Sequence, residues 1–215
     1  SARASRDVEL PDAVSAAAGE VSAETVLNLA RQVAFHLLLE RQQLHCDLTD
    51  AGEVMLHAKA KCSRALGIDS LSSTDIEGLL RRHAWMVRTN GASLRFQHQL
   101  LAGALAAPIL ASTWRDHLKA IGPHVADDAW VLAARHLPED QVEDYLKTLL
   151  ETDLMLGARA ANELSAANQD ACLDHLKAGL LAHQSESLQV ASLFAIGHLG
   201  TANAVQTLIQ VYNGS

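Results

Sequence analysis

A mainly α-helical fold with one small β-hairpin is what this 215-residue chain predicts, and three observations carry the prediction. Hydrophobic residues make up 49% of the chain but aromatics only 4%, with Ala and Leu abundant, a composition that suits closely packed helices over a β-sandwich. Polar and apolar residues recur at helical spacing along most of the sequence. The exception is the segment "AWMVRT" to "SLRF", which flanks Asn90-Gly91, the dipeptide that most readily takes the positive φ values of a tight hairpin turn.

The elements follow in order. Residues 1–21 form a loose polar segment that lacks the apolar core of a signal peptide. Ser22 caps a helix running to about Gln42, whose apolar residues Val26, Leu29, Val33 and Leu37 share one broad face. Asp50 starts a second helix through Val54, Met55, Ala58 and Leu66, ended by Gly67. Thr74 and Glu77 are expected to form a capping box that opens a short third helix through Leu79 and Leu80. The hairpin comes next, with Leu80, Trp85, Val87, Leu94 and Phe96 on its buried face and Cys46, far upstream, in a loop. A short helix followed directly by a hairpin is the ending of a winged-helix module, which is assigned residues 22–112.

Residues 113–215 read as paired helices, regular from about residue 124. "AARHL" (Ala133 to Leu137), "AANEL" (Ala160 to Leu164) and "AIGHL" (Ala195 to Leu199) each precede a second amphipathic segment, at Val142–Leu150, Leu173–Leu181 and Val205–Val211. Small residues at Ala160, Ala161 and Ala195 allow close helix approach, and Leu164 and Leu199 fill the layers between. The last unit, "LQVASLFAIGHLGTANAVQTLIQVY", resembles a HEAT repeat, so an α-solenoid of HEAT-like helix pairs is expected.

Charge and motif content exclude several functions. A formal net charge of −8 gives no general attraction to nucleic acid or anionic membrane. The longest apolar run, from Leu100 to Ser112, is too short to cross a bilayer and contains Pro108. Three widely spaced cysteines, Cys46, Cys62 and Cys172, read as reduced thiols of a cytoplasmic protein. Zinc is the other use of Cys46, His57 and Cys62 with neighbouring His45, but no C-x-x-C or H-x-x-x-H pair is present, so buried thiols and surface imidazoles are expected and no metal. Asp127, Asp128, Glu139 and Asp140 stand at helix starts, where acids favour the helix dipole, and no catalytic residue is assigned.

The junction between the halves is the informative stretch. Phe96, His98, Ala106 and Ala107 in "LRFQHQLLAGALAAPIL" resemble the region that follows the nucleotide-binding core in STAND-class ATPases of the NACHT type, where a winged helix closes on Phe-x-His and a helix reaching Ala-Ala. The Gln-Glu-aromatic run common in that family is replaced here by "LLAGALAA". The resemblance implies that His98 latches the phosphates of bound ADP in a closed state, as an N–H donor that loses its partner when the domain swings away. No G-x-x-x-x-G-K-[ST] occurs, so the chain is expected not to be an enzyme by itself, and ADP or ATP belongs to a full-length protein whose gene continues upstream. On this reading the chain is the regulatory, protein-binding part of a nucleotide-dependent signalling switch, and its solenoid engages a protein partner. Two alternatives stand beside it: a stand-alone HEAT scaffold, and a winged-helix DNA binder using Arg81, Arg82, Arg88 and Arg95.

Overall fold

The computed structural model describes residues 21–62, 68–83, 85–89, 93–182 and 185–214. Residues 1–20, Leu66 and Gly67, and Asn90-Gly91 at the expected hairpin tip therefore lie outside the described residues; the second helix stops ahead of Leu66, at Lys61, where Cys62 turns to an extended conformation.

The first helix, α1 (Ala23–Phe35), starts where Ser22 predicts, with the Thr25 amide donating to Ser22 Oγ at 3.2 Å. It continues into a π-helical turn, His36–Glu40, in which the Arg41 amide reaches back to the His36 carbonyl. Strand β1 (His45–Asp47) follows, then α2 (Leu48–Lys61) and α3 (Ser73–Arg82). Two expectations change here. Helix α2 begins before Asp50, at Leu48, because Cys46 is not in a loop but at the centre of β1, which commits the chain to an extended path up to Asp47. The capping box of α3 is Ser72 with Asp75, each side chain bonding the other's amide, and Thr74 and Glu77 are inside the helix.

Strands β2 (Met86–Thr89) and β3 (Ser93–Phe96) form the predicted antiparallel hairpin, and β1 adds to its free edge to give a three-stranded sheet of order β1-β3-β2. The order helix, strand, helix, helix, strand, strand is that of a winged helix. Leu80, Leu94 and Phe96 are buried as expected, but Met86 and not Val87 faces the core, because Met86 is the residue opposite Phe96 in the ladder. Two strands alone would be marginal, and β1 supplies the third that the hairpin needs.

Helix α4 (Gln99–Thr113) is apolar nearly all round because it packs on α1 from one side and on α5 (Asp127–Ala133) from the other. A 3-10 turn, Trp114–Ala120, joins the two. Beyond them come α6 (Glu139–Thr152), α7 (Leu154–Ala161), α8 (Ala166–Ala182), α9 (Glu186–Leu199) and α10 (Ala202–Gly214). Helices α5, α7 and α9 stack in one layer, and α6, α8 and α10 cover them: α6 packs on α7, α8 on both α7 and α9, and α10 on α9. This is an α-solenoid whose three small-residue motifs sit at the ends of the inner helices, with Ala160, Ala161, Ala195 and Leu199 buried and Leu164 half-buried. The outer helices α8 and α10 start earlier than the sequence pattern marks, because only small and polar residues precede Leu173 and Val205 in them.

One apolar core runs unbroken from Val26 in α1 through Leu105 and Leu110 in α4 to Trp130, Tyr145 and Leu199 in the solenoid. Among the described residues no helix is long and apolar enough to cross a membrane.

Candidate functional site

The joint between the N-terminal helices with their sheet and the solenoid is built around α4. Its first residue is set by β3: Phe96 buries into the core, the chain stays extended through His98 (φ −137°, ψ 141°), and α4 begins at Gln99. His98 occupies the N-cap position without making a side-chain cap bond, and its carbonyl accepts from the Ala102 amide at 3.2 Å. Its imidazole is exposed, as is Leu100 one turn-fraction further on, 60% accessible on an apolar helix whose core-facing residues include Ala102, Leu105, Ala106 and Leu110. An exposed histidine beside an exposed leucine gives this corner both a polar donor and an apolar contact for a neighbouring molecule.

The winged-helix arginines do not form a common basic face. Glu77, 7% exposed, takes Arg88 Nη2 at 2.7 Å and Arg81 Nη1 at 3.7 Å, so two of the four are held against one buried carboxylate. Arg95 instead borders a polar hollow of about 440 Å³ with His45, Thr89 and Ser93 on the face of the sheet.

At the opposite end, the last repeat leaves apolar surface uncovered. Val190, Leu193, Phe194, Gly197, His198 and Leu208 line a groove of about 530 Å³ between α9 and α10. Phe194 is 64% exposed, and Val205, Ile209 and Tyr212 lie exposed on α10 nearby. The sequence periodicity marked α9 as a repeat helix but not this second apolar face, because both faces of α9 are apolar and only packing decides which one is covered.

The cysteine and histidine set considered for zinc is dispersed. Cys46 and His45 are in β1, with the Cys46 thiol directed to the Leu94 carbonyl at 3.8 Å, while Cys62 ends α2. All three thiols are buried and free; burial pushes Cys46 and Cys172 up to about 11 and raises Cys62, which makes them poor nucleophiles and poor ligands near neutral pH.

His57 is not a plain surface imidazole. It meets two residues of the π-helical turn: its Nε2 is 3.1 Å from Glu40 Oε2, its ring stacks on His36 with centroids 3.9 Å apart, and His36 Nδ1 is 2.5 Å from the same Glu40 oxygen. Burial alone would raise the Glu40 carboxyl, but the His36 hydrogen bond and the charge of His57 outweigh it and hold the carboxyl below its ordinary value. Burial and the neighbouring His36 lower His57. The i,i+4 pair in "HLLLE" was visible in the sequence, but its partner 17 residues beyond Glu40 is brought in only by the packing of α2 on the π turn.

No family model, curated protein or solved structure shows significant similarity to the chain.

Proposed function

We propose that this chain is the regulatory, partner-binding portion of a cytoplasmic nucleotide-dependent switch of the STAND/NACHT type. The observation that carries the reading is α4: a single buried helix belongs both to the winged-helix core and to the first solenoid layer, and it presents exposed His98 at its start. A pull on the solenoid is transmitted to His98 through a close-packed interior, since cores of this density move as units. The open groove at Phe194 supports a protein partner at the far end, because contiguous exposed apolar surface marks interaction sites. In this scheme His98 donates to a phosphate oxygen of ADP held by a separate nucleotide-binding core, and Leu100 packs against that core. The imidazole is a latch and takes no part in hydrolysis.

The test is nucleotide occupancy of the full-length protein after purification. Parent protein is expected to retain ADP, and His98→Ala to retain several-fold less while its basal signalling rises. Unchanged ADP occupancy in His98→Ala rejects the latch.

The stand-alone scaffold shares the groove but assigns nothing to His98, so the same measurement separates the two. The Glu77 pairing of Arg81 and Arg88 counts against the DNA-binding alternative, which needs those charges for phosphates.

A further inference from the structure

We propose that His36, Glu40 and His57 form a binding site for a divalent transition-metal ion of the zinc type, fastening the π-helical turn to α2. Two imidazoles and one carboxylate are the donor set such an ion takes while leaving a further position open, and it is a poor set for the harder Ca²⁺ or Mg²⁺, which prefer oxygen throughout. The donor atoms of all three residues lie within 4.8 Å of one another. Tetrahedral coordination at zinc bond lengths separates its donors by about 3.3 Å. The existing approaches of 2.5 Å and 3.1 Å to Glu40 Oε2 thus need to open by less than an ångström, a change that side-chain rotation supplies.

His36 is 9% exposed, so the packing around its ring holds the Nδ1 that faces Glu40 in place. The rings of His36 and His57 stack 17° from parallel, so they must turn for both in-plane lone pairs to reach one ion. The turn that presents His36 and Glu40 is π-helical, a distortion often found at functional sites. Glu40 and His57 are 29% and 33% exposed, which leaves an entry path from solvent. Lys61 and Glu53, both close enough to influence His57, act on it with opposite signs.

The consequence reaches the joint. The π turn packs on the 3-10 turn Trp114–Ala120, and Phe35 sits edge-on to His117 at 4.9 Å, so an ion here stiffens the contact between the winged helix and the start of the solenoid. The site is independent of the His98 latch, and either can fail without the other.

The experiment titrates the metal-free full chain with Co²⁺ and Zn²⁺. The expected result is one equivalent of Co²⁺ with ligand-field absorption and no sulfur-to-cobalt charge-transfer band, and a Zn²⁺-dependent rise in Tm. Glu40→Gln and His57→Gln should each weaken binding by at least roughly 10–100-fold, the cost of disturbing even the outer-shell partners of metal ligands. Both side chains are partly exposed, and circular dichroism of the metal-free variants checks that the fold survives; should one variant misfold, the other carries the comparison. A sulfur charge-transfer band, equal affinity in a folded variant, or no binding at tens of micromolar overturns the site and leaves the cluster as a proton-sharing pair.

Discussion

The α4–α5 joint and the α9–α10 repeat are both pairs of apolar helices, yet one is sealed and the other open. At the joint a Cβ added to Gly103 would meet Asp128 Cβ at 2.8 Å and backbone atoms of Asp128 and Ala129 at 3.0 Å, so the two helices touch backbone to backbone. In the last repeat a Cβ on Gly197 would meet only Leu208 Cδ1, at 3.9 Å. Trp130 in α5 is fully buried, with Tyr145 stacked on it and donating its hydroxyl to the Trp130 carbonyl; Phe194 in α9 is mostly in water. Similar composition thus serves two purposes. The joint is closely packed, and the end repeat leaves apolar surface exposed.

Four substitutions break or sharpen that contrast. The largest effect is expected from Trp130→Ala, which empties the centre of the joint and should cost about 3–5 kcal/mol in urea unfolding. A cost under about 1 kcal/mol would mean that the joint is loosely packed. Glycine replacement comes next, because the same change should have opposite signs in the two places. Gly103→Ala forces α4 and α5 apart and is expected to lose about 1–3 kcal/mol, whereas Gly197→Ala meets open space in a helix interior and should gain about 0.5–1 kcal/mol. Equal effects at both positions would erase the distinction drawn between them. The smallest effect on stability belongs to Phe194→Asp, within about 0.5 kcal/mol for an exposed side chain. The same variant should lose most of the fluorescence of an apolar dye bound at the groove, and undiminished dye binding would show that the groove is not an accessible apolar surface.

Much of the architecture was legible because it depends on local chemistry. Ser22 caps α1 by an oxygen placed three residues before an amide, and a Gly in "GHLG" ends α9 in the left-handed conformation, φ +60° at Gly200. The hairpin strands were legible from their β-branched and aromatic residues around Asn90-Gly91. Strand β1 was not: three residues, "HCD", carry no periodic signal, and their extended shape comes from pairing with Ser93, Leu94 and Arg95 almost fifty positions away. The same reason explains Met86. Alternation along "WMVR" permits either face, and the register with Phe96 selects one. The capping box is at Ser72 and not Thr74 because Glu77 is drawn away to Arg88, while the Asp75 carboxylate accepts from the Ser72 amide.

His98 was singled out through Phe-x-His, a local pattern, and the fold leaves it exposed at the start of α4. The contact of His36 with His57 has no such pattern. What the sequence determined by itself was which segments are helical and that helix pairs repeat toward the end, both consequences of interactions spanning a few residues. What the tertiary structure alone decided was which apolar faces are covered, which arginines are neutralised by Glu77, and that His57 meets His36 and Glu40. Those outcomes rest on contacts between residues distant in the chain, and no local pattern encodes a distance between helices.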